Sequence, residues 1–507
     1  MIKLLKLLIT SSAILSCVLL FCACGDVKTD ATNTESISLS SEELAIQSFI
    51  DEYDPSTTAV TYNVSDEVLS QTFDGYNFTF LNSDAIYYMY IYLDPEMTGD
   101  VLDDTCFERN LIAEEKFDIR INEETVPYTN IASHAKTVIL ADEDVYDVMY
   151  IPNSQLTPLI SEQLFYDLLE IDELHTENIW WDQPLITRNI IEDRLFYATS
   201  DLHLMAFEGI WCMYFNEDMM LELGLDLPYQ LALDGKWTFD ALKQYCASAA
   251  NLNGDESFAF DPNGKSVYGI STCGTSPYMS YGMGAEITSR DENGKYEFTA
   301  DTDEHFSDVW QALIGFFGTD NGSAFIGTSA DLDADGYYGA FMANRALFLH
   351  AELKGATMLR EWENNFGLLP QPKFDELQSE YNSNVFSGCL SFCIPKTNTN
   401  LERTGIIVDY LTYHSYAELM PRYYDIHVGL KALGKADSIA VLSLVRGTRG
   451  CEVAVPYGWA SELSKDLGAL SLEGNQAIAS TIEKHREAII ANIEKTYAVY
   501  PTLIHAE

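Results

Sequence analysis

Residues 85–122, AIYYMYIYLDPEMTGDVLDDTCFERNLIAEEKFDIRIN, do most to limit what this chain can fold into. An aromatic and branched run suits an extended strand, Pro95 and Gly99 interrupt it, and Val101, Cys106, Leu111 and Ile112 then recur at helical spacing. A second short strand fits residues 117–121, which makes the segment a βαβ unit and the sheet at least partly parallel. The run DVYDVMYIPNS predicts a third strand, and its end at Pro152-Asn153-Ser154 falls where open α/β sheets present ligand-binding loops. Asn153 and Ser154 stand there either to touch a ligand or to cap a helix that begins near Leu156.

The alternation continues downstream. Thr238 caps an apolar stripe of Phe239, Leu242 and Tyr245 that stops at Asn251–Gly254. Further helices fit residues 305–317, 403–414, 438–444 and 476–495, and strands fit 195–197, 214–216, 346–350, 366–369 and 390–394. No internal repeat is present. About 450 residues beyond the N-terminal segments exceed one compact core, so two domains or two lobes are expected.

Before that body, Lys3 and Lys6 precede an apolar run ending at Ala23, the pattern of a secretion signal over residues 1–23. Leu19-Leu20-Phe21-Cys22-Ala23-Cys24 resembles a bacterial lipobox, which would leave Cys24 as a lipidated N-terminus; an ordinary signal peptide or an uncleaved anchor is the plainer alternative. Residues 24–50, rich in Ser, Thr, Asp and Glu, hold too few apolar side chains to bury anything and read as a flexible tether. A tether behind a lipid holds a domain close to a membrane.

The chain carries 29 Lys+Arg against 78 Asp+Glu, a formal net charge of -49 that repels nucleic acid and anionic lipid surfaces. The seven cysteines after Cys24 are odd in number and irregular in spacing, so no disulfide framework is expected, and Cys389 and Cys393 read as buried small hydrophobes. Dinucleotide, phosphate-loop, nucleophile-elbow and zinc-protease motifs all fail, and nothing specific argues for catalysis. Asp331, Asp333, Asp335 and Gly336 match the first half of a calcium loop, but Met342 stands where the bidentate glutamate belongs. An acidic surface loop is the expectation there, with those aspartates the candidates should Ca2+ bind; no cofactor is expected. The 30 Tyr, 25 Phe and 7 Trp are abundant enough both for a core and for an aromatic cleft of the kind that stacks on sugar rings.

The ordered segments TGDVLDDTCFERNLIAEEKFDIRI, WWDQPLI, MYFNEDMMLELGLD, DGKWTFDALKQYCASAANLNGD, NRALFLHAEL, FGLLPQPKFDELQSEY, YYDIHV and YGWASEL resemble bacterial extracellular solute-binding proteins of the family 1 type, lipoprotein components of carbohydrate ABC importers. The resemblance implies an α/β, two-lobed periplasmic-binding-protein-like fold (type II), with mixed sheets flanked by helices and a hinge of two or three crossovers. It implies residues 51–199 plus 366–418 as one lobe and 200–365 plus 419–507 as the other. A sugar or oligosaccharide would lie between the lobes of a monomer and pass to the permease subunits, with the chain held by its lipid on the outer face of the cytoplasmic membrane. Carried across by position, Asn153, Ser154, Ser200, Asp201, Glu208 and Trp211 would face the ligand, as would Tyr278, Tyr281, His350 and Glu352, with Trp459 stacking on it. A surface-anchored glycoside hydrolase and a structural surface lipoprotein are the competing readings.

Overall fold

The computed structural model describes residues 61–84, 91–92, 97–274, 276–318, 321–327, 336–433 and 435–500. Cys24 and the Asp331, Asp333 and Asp335 loop lie outside them. The described residues belong to one compact unit, Tyr53–Glu507.

Strands are numbered along the chain. β1 is Tyr76–Asp84, β2 Ile119–Pro127, β3 Val148–Pro152, β4 Trp211–Asn216, β5 Tyr268–Thr272, β6 Thr288–Arg290 and β7 Tyr296–Phe298. β8 is Ala324–Ile326, β9 Ala346–Glu352, β10 Phe366–Leu369, β11 Ser383–Asn384, β12 Leu390–Cys393 and β13 Arg449–Gly450. A four-stranded sheet runs β12-β3-β1-β2, with β1 parallel to both β2 and β3 and β12 antiparallel to β3. A five-stranded sheet runs β10-β4-β9-β5-β8, in which β5, β8 and β9 are parallel and β4 opposes β9.

The βαβ unit is present with an earlier first strand than the sequence pattern indicated. The helix Val101–Phe117 joins β1, YNFTFLNSD, to β2, and most of the aromatic run at 85–96 is outside the described residues. β1 is hard to see in sequence because its last third is Asn-Ser-Asp, residues that usually mark turns. Here Asn82 is buried and donates to the Glu123 carboxylate at 2.6 Å, which removes the cost of placing an amide in a strand. Residues 195–197 form no strand; Ala198 makes a single bridge to Phe392.

The chain passes between the sheets three times. It leaves the first after Ala198 and enters the second at β4, returns between β10 and β12, and crosses again through the π-helical stretches Ser415–Leu419 and Arg422–Leu433. Before that third crossing the helix Leu401–His414 packs on Val101–Phe117, and after it Ala436–Gly447 packs on β10. β10, expected in the first lobe, pairs with β4 instead, so the second crossing begins after residue 369. Among the described residues no helix is long and apolar enough to cross a membrane.

Candidate functional site

Parallel strands present their carboxyl ends on one edge of a sheet, and here both sheets turn that edge toward the segment 386–389, which lies on the second crossing. From the first sheet, Tyr128 follows β2 and donates its hydroxyl to the Gly388 carbonyl at 2.6 Å. Its N–H donates to Asp84, the last residue of β1, at 3.1 Å. Asn153, just past β3, donates its N–H to the Cys389 carbonyl at 3.0 Å and accepts the Ser391 hydroxyl at 2.5 Å. Asn153 is the first residue of the helix Asn153–Ser161, whose N-cap position is Pro152, and its side chain is drawn to the junction.

From the second sheet come an aromatic pair and three charges. Trp211 opens β4 opposite Glu352 at the end of β9. Its ring stacks on Tyr278, with centroids 4.7 Å apart and 17° between planes, and Tyr278 meets Phe386 edge-on at 6.3 Å. The Tyr278 hydroxyl bonds Ser387, and burial raises its pKa. The Trp211 indole N–H is buried without a hydrogen-bond partner, a donor left over at the centre of the site. Glu208 ends the short helix Met205–Glu208, and its carbonyl accepts the Lys354 N–H at 3.0 Å. Burial lowers the Lys354 ammonium, while the Glu208 and Glu352 carboxylates beside it pull the other way.

His350 lies one layer below. It is fully buried in β9, accepts from Gln371 at 2.8 Å and supports the Trp211 ring at 4.8 Å, and burial drives its pKa down to about 3, so it is neutral. Gln371 also donates to the Tyr278 carbonyl at 3.2 Å, tying the second crossing to the aromatic pair. Behind Tyr278 a cavity of about 240 Å³ is walled by Ile287, Phe306, Trp310, Val385 and Glu452. A larger surface groove of about 790 Å³, lined by Asp226, Lys236, Asp240 and Glu376 among others, shares none of these residues.

The structure therefore brings Asn153, Glu208, Trp211, Tyr278 and Glu352 to one junction, with His350 beneath. The other expected residues lie in different clusters. Ser200 and Asp201 are buried on the first crossing. Burial pushes the Asp201 carboxyl up to about 7, against the pull of Arg449 and Arg446, and Arg449 itself donates to Asp182 at 2.6 Å. Tyr281 is buried under the Arg188 guanidinium. Trp459 is buried, stacked on Tyr457 at 4.9 Å, and its N–H is used by Thr496; its groove, which Ser154 also lines, is a separate one of about 380 Å³. Tyr128, Lys354, Phe386 and Ser387 were not anticipated. Lys354 had a visible signal in its place two residues after Glu352, but Tyr128 and Phe386 reach the site only because the end of β2 and the second crossing meet there.

No family model matches the chain, and no curated protein sequence matches it. Solved structures do. A cyclic alpha-maltosyl-1,6-maltose binding protein from Arthrobacter globiformis superposes with TM-score 0.56 at 13% identity, covering 83% of this chain and 100% of its own. A cyclo/maltodextrin-binding protein complexed with maltotetraose gives 0.55 at 11% identity, covering 82% and 97%. An ABC substrate-binding protein from Listeria monocytogenes in complex with cycloalternan gives 0.54 at 13%, covering 84% and 100%. At such identities the likeness is one of fold. This chain has the two-lobed, periplasmic-binding-protein-like α/β fold.

Proposed function

We propose that this chain is a membrane-anchored extracytoplasmic solute-binding protein that captures a carbohydrate, an oligosaccharide, between its lobes and hands it to an ABC import permease. The reading rests chiefly on one observation: the carboxyl ends of both sheets meet at 386–389, where the Trp211–Tyr278 stack stands beside the Glu208 and Glu352 carboxylates. Aromatic faces suit the C–H faces of sugar rings, and carboxylates accept from hydroxyls. Neighbours of this fold include proteins solved with maltotetraose and cycloalternan, which supports a sugar as ligand here. The lipobox-like sequence ending at Cys24 supports anchoring, and a tethered receptor gains effective concentration at its permease. Three crossings between the sheets suit lobes that close on a ligand, a two-state element whose equilibrium the sugar biases.

Thermal unfolding of the full chain in detergent against a panel of neutral mono- and oligosaccharides tests this. A ligand that binds only the folded state stabilises by about 2.7 kcal/mol at a hundred times its Kd. A saturable rise in Tm is expected from one saccharide class, lost in Tyr278→Ala with the far-ultraviolet circular dichroism unchanged. Turnover of any saccharide to product would count against a binding protein.

A further inference from the structure

Building on the sugar-binding reading, we infer that the site selects by charge, taking uncharged saccharides and rejecting their uronate, sulfated or phosphorylated counterparts. Among the described residues named at the junction, three carboxylates, Asp84, Glu208 and Glu352, stand with one ammonium, Lys354: Asp84 accepts from Tyr128, the Glu208 carbonyl from Lys354, and Glu352 pairs with Trp211. Glu208 and Glu352 both act on Lys354, and both also act on the Cys389 thiol, which burial drives up first and these charges raise further. Lys354 is tied to Glu208 through its backbone N–H and lies two residues past Glu352, so its ammonium feels both carboxylates. An acidic ligand must either compete with them for that ammonium or sit against a net negative wall.

Three buried or half-buried guanidinium groups elsewhere in the body are already engaged. Arg109 donates to the Ile91 carbonyl at 2.6 Å and to Ser415 at 3.0 Å. Arg188 grips Glu286 at 2.8 Å, and Arg449 grips Asp182 at 2.6 Å. The cavity behind Tyr278 adds Glu452 and Lys465, and Lys465 lies 3.7 Å from Glu462. Like unit charges repel strongly where water is excluded, whereas a hydroxyl donating to a carboxylate makes a charge-assisted bond and brings no second charge. The same geometry that repels an acidic sugar therefore holds a neutral one.

The test is calorimetric titration of the full chain in detergent with neutral oligosaccharides and with the same oligosaccharides oxidised at C6 to uronates. Neutral members are expected to bind about tenfold or more tightly than their uronate partners at low salt. Glu352→Gln should narrow that ratio and Lys354→Met should widen it, with circular dichroism confirming that both variants fold. A uronate that binds the wild-type chain as tightly as its neutral partner overturns the charge selection and leaves sugar binding standing. If no saccharide of either kind binds, the sugar-binding reading falls and this one with it.

Discussion

Gly388 shows how closely the site is built. A Cβ there would stand 2.6 Å from the Phe386 ring and 2.6 Å from the Tyr128 hydroxyl, both side chains at the junction. Gly388→Ala must push both aside and break the Tyr128 bond to its own carbonyl. We expect a loss of about 1–3 kcal/mol in urea unfolding together with weaker ligand binding, as overpacking of a close contact usually costs. An unchanged unfolding midpoint would show that the crossing has slack. Gly209 is tight in the same manner, with the Cys389 thiol 2.9 Å from where its Cβ would be. Neither constraint is fully legible from NVFSGCL or FEGIW, because Tyr128 at Gly388, and Cys389 and Phe386 at Gly209, come from distant parts of the chain. Trp211 and Glu352, expected from the resemblance alone, do share one edge, because the start of β4 pairs with the end of β9.

At the scale of an element, the helix Leu401–His414 was readable from its apolar spacing, and its most consequential residue was not. Asp409 is completely buried in it and accepts from Tyr62 at 3.1 Å, His175 at 3.0 Å, Trp180 at 3.0 Å and Trp181 at 3.3 Å. One carboxylate thereby fixes the Trp-Trp segment and the start of the described chain onto the first lobe. Asp409→Asn keeps the shape but replaces one acceptor oxygen by a donor, and should cost about 1–3 kcal/mol by leaving buried N–H groups unsatisfied. The hydrogen bond that His175 donates to Asp409 also raises the His175 pKa above its ordinary value. A raised histidine stabilises the fold fully below its unfolded pKa, about 6.5, and that contribution fades as pH rises through the folded value. Tm should therefore fall as pH climbs above about 6.5, and Asp409→Asn should flatten this part of the profile. A slope that persists in the variant would assign it to other groups.

At the scale of the whole molecule, the excess of 78 acidic over 29 basic residues repels itself in the compact state. Raising ionic strength from about 0.01 to 0.15 M shortens the screening length from roughly 30 to 8 Å, so the Tm of the unliganded chain should rise with salt. A fall would mean that favourable ion pairs outweigh the general repulsion. Local pattern alone determined a good deal here: an α/β chain, a parallel βαβ unit, a length needing two lobes, and cysteines that stay free. These follow from periodicities of 2 and 3.6 residues and from burial capacity, which neighbouring residues carry by themselves. Only the tertiary structure decided which side chains share the junction. Trp459, the strongest aromatic candidate in the sequence, is spent on Tyr457 and Thr496, while Tyr128, Lys354 and Phe386 stand at the site. The physical reason is that the junction is assembled where the second crossing meets two sheet edges, between residues up to hundreds apart in sequence, and no local pattern encodes that meeting.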